Sequence, residues 1–229
     1  MDPVHIFING CSFLTDRKKE KVYTHTGLEL AKIMDLPIAQ SLAAGGRGNR
    51  RISFTTKLWC EKNPELAKEC FFLIGITTGT RFDYPTNDGY KKWHHPSLNT
   101  TWKTFSLQRH PAETFFRVLY GYGMDIDQHI QIESIDTIID LQNFFQAKKY
   151  PYVMYKAISD TPIIAKDVKV LFDAIDKTRF FKPETSHYDY ILENKLVANM
   201  NDPHPNTQGH IEWAKQLKDF IDANNLRTI

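Results

Sequence analysis

Residues 70–77 read Cys-Phe-Phe-Leu-Ile-Gly-Ile-Thr, an apolar run without the alternation expected of a strand that faces water on one side. Such a strand has to be covered on both faces, and that arrangement belongs to parallel sheets whose strands are joined by helical crossovers. A second run, Val4-His5-Ile6-Phe7-Ile8, stands near the N-terminus and breaks off into Asn9-Gly10-Cys11-Ser12. Helix-spaced apolar positions lie between the two runs and follow them. The alternation predicts a three-layer α/β/α sandwich around a central parallel sheet of about five strands.

In chain order, strands are expected over residues 4–9, over the stretch from Leu36 toward Ala44, over 70–77, over Tyr150–Tyr155, and in a short piece at Arg179–Phe181. Helices are expected from Thr26 to Met34, Arg50 to Lys62, Pro111 to Tyr120, Asp127 to Lys148, Val168 to Ile175, His187 to Leu196 and Thr207 to Asn224. The segment from Thr78 to Thr104 breaks the pattern and reads as a long irregular loop rich in aromatic and polar residues. At roughly 25 residues it far exceeds the usual four to six, which marks it as a functional insertion. Its own rings packing together would be the ordinary alternative. The 229 residues suit one domain, and no repeat or Pro/Gly-rich linker divides them.

Composition narrows the function classes. Lys plus Arg number 29 against 27 Asp plus Glu, without a basic stripe, so neither nucleic acid nor a membrane is an expected partner. The three cysteines, Cys11, Cys60 and Cys70, form no Cys-x-x-Cys pair and suggest neither a disulfide framework nor a zinc site. His94 and His95 are adjacent, so they face apart on a strand, and no His-Glu-x-x-His arrangement occurs. No metal or other cofactor is expected. Asp2 and Pro3 stand where a secretory signal carries basic residues, and no apolar stretch approaches membrane-spanning length. A cytoplasmic location is therefore expected, in a cell's own cytosol or a virus-infected host's.

The chemistry points to the two ends of the chain. In open α/β sheets ligands bind at the carboxyl edge of the strands, where Ser12 follows the first strand. A serine nucleophile needs a base, and the base commonly needs an acceptor to fix its tautomer. His204 lies in Asn201-Asp202-Pro203-His204-Pro205, between two prolines that restrict the backbone and ahead of the closing helix. Asp202 is the nearest acidic partner. His210 reads as a structural or partly exposed helix residue. Cys11 is a rival nucleophile, since a thiolate beside a histidine is reactive; Ser12 is preferred because Cys11 would point to the opposite side of a continuing strand. Gly45-Gly46-Arg47-Gly48-Asn49 suggests a phosphate loop but lacks the Gly-Lys-Ser/Thr ending.

Gly10-Cys11-Ser12-Phe13, the glycine loop, Gly75-Ile76-Thr77-Thr78 and Asp202-Pro203-His204-Pro205 together resemble the four blocks of the SGNH (GDSL-like) hydrolase superfamily, as a divergent member. That resemblance implies a flavodoxin-like sheet. It also implies Ser12 as nucleophile and oxyanion donor through its N–H, Gly46 as a second backbone donor, His204 as general base and Asp202 as its orienting acid. The family's aspartate before the nucleophile is Cys11 here, and Thr77 takes the position of its oxyanion asparagine. Asn49 is an alternative amide donor. The family's acid usually lies three residues before the histidine, where this chain has Asn201, so the orienter is Asp202 or, in a dyad of Ser12 and His204, Asn201 or a carbonyl.

The expected substrate is a small ester, such as an O-acetylated carbohydrate, contacted by Arg81, Tyr84 and Trp93 of the long loop. An O-acyltransferase would use the same acyl-enzyme and differ only in the acceptor. An inactive glycan-binding module on the same fold is the alternative from another class.

Overall fold

A computed structural model of the chain describes residues 2–86, 101–106, 117–118, 120–158 and 166–228. The elements run β1 (His5–Asn9), α1 (Thr26–Met34), β2 (Ile38–Ser41), α2 (Asn49–Lys62), α3 (Pro64–Lys68), β3 (Cys70–Ile76), β4 (Arg81–Thr86), β5 (Thr101–Ser106), α4 (Ile126–Lys148), β6 (Tyr152–Lys156), α5 (Lys166–Asp173), β7 (Phe180–Phe181), α6 (His187–Glu193) and α7 (Thr207–Ala223). β1, β3 and β6 form the centre of a five-stranded sheet of order β2-β1-β3-β6-β7, with every neighbouring pair parallel. All seven residues of β3 are buried, as an unalternating run requires.

Successive side chains of each strand feed opposite cores. Ile6, Ile8, Phe71, Leu73 and Val153 pack with Leu30 of α1 and Trp213, Leu217 and Ile221 of α7. Phe7, Phe72, Ile74, Tyr152 and Met154 pack with Ile52 and Trp59 of α2 and with Ile138, Leu141 and Phe145 of α4. Each large apolar side chain removed from water in this way contributes about 1.5–3 kcal/mol. The result is the expected α/β/α sandwich.

The stretch from Thr78 to Thr104 is not irregular where it is described. β4 and β5 pair antiparallel, from Arg81 opposite Ser106 to Thr86 opposite Thr101, as a two-stranded sheet apart from the main one. Pro85 obscured the strand in the sequence, yet a proline is tolerated in an edge strand, where no ladder needs its N–H. Trp93, His94, His95 and most of the helix expected over Pro111–Tyr120 lie outside the described residues. Among the described residues no helix is long and apolar enough to cross a membrane.

Two histidines are part of the α1–α7 layer. His210 of α7 is fully buried, the structural rather than the partly exposed of the two readings, and its Nδ1 accepts the Thr26 N–H at 3.1 Å. That bond satisfies one of the orphan donors at the start of α1. His187 is also fully buried, stacked on Trp213 with ring centroids 4.7 Å apart, and its Nε2 lies 3.3 Å from the Gly209 carbonyl. Burial, with His25 and His204 nearby, pulls His210 down to about 3; burial and then His210 pull His187 well below its ordinary value. Both therefore bind protons more readily unfolded than folded. Their contribution is intact above pH 6.5 and is lost as pH falls, for His210 down to about 3. Urea unfolding between pH 6.5 and 4 is expected to show stability falling by up to about 1.4 kcal/mol per pH unit for each histidine. The slope should be shallower in His210→Gln; an unchanged slope would remove this histidine from the account.

Candidate active site

The carboxyl ends of β1 and β3 meet at two glycines. A Cβ on Gly10 would come within 2.9 Å of the Gly75 carbonyl and 2.7 Å of Leu14 Cδ1, so the chain can turn there only without a side chain. The turn is fixed from below by Asn9, whose Oδ1 accepts the Gly10 N–H at 2.9 Å and whose Nδ2 lies 2.9 Å from the hydroxyls of both Thr55 and Thr56 on α2. A short 3-10 turn, Ser12–Leu14, follows. β2 leaves the sheet alongside, with Leu42 N–H bonded to Ile8 O and Ala44 N–H to Gly10 O. This delivers the glycine loop to the serine: a Cβ added at Gly45 would sit 3.9 Å from Ser12 Cβ, and Gly46 adopts a left-handed φ of 76°.

His204 arrives on a loop clamped at its base. Val197 bridges Pro205, Ala198 N–H bonds to His204 O at 2.8 Å, and Asn206 N–H bonds to Leu196 O at 2.8 Å. Asn206 then caps α7 by accepting the Gly209 N–H through its side chain. His204 Nε2 lies 2.9 Å from Ser12 Oγ, and its Nδ1 lies 3.0 Å from Asp202 Oδ1. Since an ionised carboxylate only accepts, Nδ1 carries the hydrogen and the Nε2 lone pair faces the serine hydroxyl. Asn201, the other possible orienter, instead donates its backbone N–H to the Asn199 side chain.

Burial, and after it Arg17, hold the His204 imidazole below its ordinary value, against the opposing pull of Asp202. For Asp202, burial acts to raise the carboxyl but is outweighed by Arg17 and His204, which leave it lowered. At neutral pH the pair is thus an ionised carboxylate beside a neutral base.

Cys11 is fully buried in the apolar cluster with Phe13, Leu30 and Trp213, while the neighbouring Ser12 meets the histidine. The remaining candidates separate by their bonds. Both amide hydrogens of Asn49 are engaged, with Thr77 O at 2.9 Å and Ser134 Oγ at 2.9 Å, and its Oδ1 accepts the Thr77 N–H at 2.8 Å. Asn49 is therefore a tie between α2, β3 and α4, and the expectation of a free amide donor is corrected. Thr77 is buried and its hydroxyl accepts from Arg81 Nη1 at 3.0 Å. Arg81 is anchored on the β3 exit beside a cavity of about 250 Å³ that Asn49, Asp83 and His129 also line. Tyr84 falls in β4, with its side chain outside the described residues, as Trp93 is altogether.

Several residues of the site escaped sequence reading. Arg17 contacts both His204 and Asp202. Arg47, within the glycine loop, is almost fully buried and reaches Asn9 Oδ1 at 3.3 Å. Asp83 accepts the backbone N–H groups of Gly48 at 2.8 Å and Arg51 at 3.2 Å. Single charged residues in loops and in a polar strand carry no periodic signal, so only the fold could bring these together.

A parallel α/β/α sandwich with a serine, histidine and aspartate in hydrogen-bond sequence at its carboxyl edge defines the class of arrangement. Neither a protein-family model nor a curated protein matches the sequence. Among solved structures the chain is similar to the psychrotrophic esterase EstA from Pseudoalteromonas sp., in a form inhibited by monoethylphosphonate. The two share 12% identity over 96% of this chain and 97% of that one, with a TM-score of 0.50. At that identity the likeness speaks for the fold.

Removing the Asn49 tie should be felt in stability. Asn49→Ala leaves the buried Thr77 N–H without its acceptor, and urea unfolding should report a loss of about 2 kcal/mol. A neutral result would show that the three elements hold together without it.

Proposed function

We propose that this chain is a serine esterase of the SGNH (GDSL-like) type. The observation that carries this reading is the 2.9 Å contact between Ser12 Oγ and His204 Nε2, with Asp202 on the far side of the ring. His204 takes the hydroxyl proton as Ser12 Oγ attacks the ester carbonyl carbon. The tetrahedral intermediate places its negative charge toward the N–H groups of Ser12 and Gly46, where fixed donors are worth about 10²–10³ in rate each. Its collapse breaks the carbon–alkoxy bond, and the alcohol leaves with the proton from His204. A water, deprotonated by the same histidine, then releases the acid from Ser12.

The substrate in this proposal is a small ester, with an O-acetylated carbohydrate favoured by the aromatic composition of residues 78–104 and by Arg81. The reaction needs no cofactor. An alcohol taking the place of water would make the same acyl-enzyme a transferase, and loss of the acyl step would leave a glycan-binding module.

A fluorophosphonate probe should label the wild type and Cys11→Ala but not Ser12→Ala. Acetate release from acetylated sugars should fall by about 10⁴-fold or more in Ser12→Ala and His204→Asn, with a smaller loss in Asp202→Asn. Full hydrolysis by Ser12→Ala would sink the assignment. Consumption of an added alcohol without acetate release would name the transferase, and glycan binding without labelling would name the module.

A further inference from the structure

Arg17 sits between the serine turn and α1, and its backbone is pinned by reciprocal bonds with Val22, Arg17 N–H to Val22 O at 2.8 Å and Val22 N–H to Arg17 O at 3.1 Å. From there its guanidinium reaches three groups. Nη2 donates to Asp202 Oδ2 at 2.5 Å, and Nη1 lies 3.3 Å from His204 Nε2. Nε and Nη2 together hold Glu20, at 3.3 and 2.9 Å. The side chain is only 19% exposed, whereas Asp202 is 55% exposed on its loop.

Resting on the reading of Ser12, His204 and Asp202 as the catalytic set, we infer that Arg17 is a positioning residue that holds the Asp202 carboxylate in register with the imidazole and keeps the base neutral. A carboxylate more than half in water rotates freely about its terminal bond unless something holds one oxygen. With Oδ2 on Arg17, Oδ1 is the oxygen presented to His204 Nδ1, which sets the tautomer. The second effect is electrostatic. A like charge within about 4–6 Å disfavours a charged group, so the guanidinium opposes formation of the imidazolium beside it.

Among the described residues, the charged groups around His204 are Arg17 and Asp202, with Glu20 behind Arg17. Ser12 and Phe13 face the ring without charge, and His210, on which His204 acts, is held neutral by burial. Arg17 pushes the imidazole down and Asp202 pulls it up, and with burial the balance lies below the ordinary value. A base so poised stays neutral into mildly acid solution. Glu20 limits the effect by sharing the guanidinium's charge and fixing its position.

The test uses the full chain as wild type, Arg17→Gln, Arg17→Lys and Glu20→Gln. Two readings are taken: the pH profile of kcat/KM for ester hydrolysis, and the NMR titration of the His204 imidazole, assigned with His204→Gln. In Arg17→Gln the His204 midpoint and the acid limb should rise together by about half to one pH unit. The plateau kcat should fall about tenfold, through misplacement of Asp202. Arg17→Lys keeps the charge without the fork, so the midpoint should stay near wild type while kcat still falls. Should Arg17→Gln fail to fold, Glu20→Gln decides: freed of its counter-charge, Arg17 should push the His204 midpoint lower, and a midpoint that holds or rises counts against the inference. An unchanged midpoint and plateau in Arg17→Gln overturn it. If Ser12→Ala is inactive while Arg17→Gln matches wild type, the positioning role alone fails. If Ser12→Ala retains hydrolysis, the esterase assignment fails, and the NMR midpoint still decides whether Arg17 governs the imidazole.

Discussion

The pairing of β1 with β3 is the constraint on which the other parts rest. Five consecutive residues pair, from His5 opposite Cys70 to Asn9 opposite Ile74, and both strands are buried within the sheet. Burial on two faces requires a helical layer on each, and parallel pairing brings both strand ends to one edge. There Gly10 and Gly75 touch, which forces the chain after β1 to turn away sharply and lifts Ser12 out of the sheet. α7 packs on the same side of the sheet as α1, so the loop leading into α7 returns to that edge. A separation of 192 residues between Ser12 and His204 thus closes to a hydrogen bond.

Above the apolar layers the loops are held by side chains bonded to backbone. Asn9 fixes the turn after β1, Asp83 holds the start of α2, and Asn49 joins α2 to the end of β3. Buried polar groups are tolerated only when partnered, so a network of this kind admits few arrangements. Arg47 belongs to it as a buried cation. Burial, and then Arg51, draw its guanidinium down to about 9, opposed by Asp83. Its contact with Asn9 Oδ1 ties the glycine loop to the strand that carries the serine.

Most of the sheet was legible because two-sided burial leaves an unbroken apolar run, and the helices were legible where their apolar spacing was regular. β2 proper is only Ile38–Ser41, shorter than the extended pattern from Leu36 toward Ala44, although Leu42 and Ala44 still bond to the β1 side through their N–H groups. The β4–β5 pair was missed, since polar and proline-containing strands of a two-stranded sheet need no apolar face. At the site, Ser12 and His204 could be picked out because small residues after a strand and prolines around a histidine are local features. Asn49 was misjudged as a donor because its partners lie 28 and 85 residues away. Arg17 was missed for the same reason of distance: Asp202 stands 185 residues further on.

The start of β4 is stapled to the glycine loop. Asp83 Oδ2 takes the Gly48 N–H, and a Cβ on Gly48 would collide with the Arg81 carbonyl at 2.4 Å. The start of β4 is thereby fixed to the loop that runs beside the serine. A change at Asp83 would therefore reach the glycine loop through Gly48, from a strand that has no place in the main sheet.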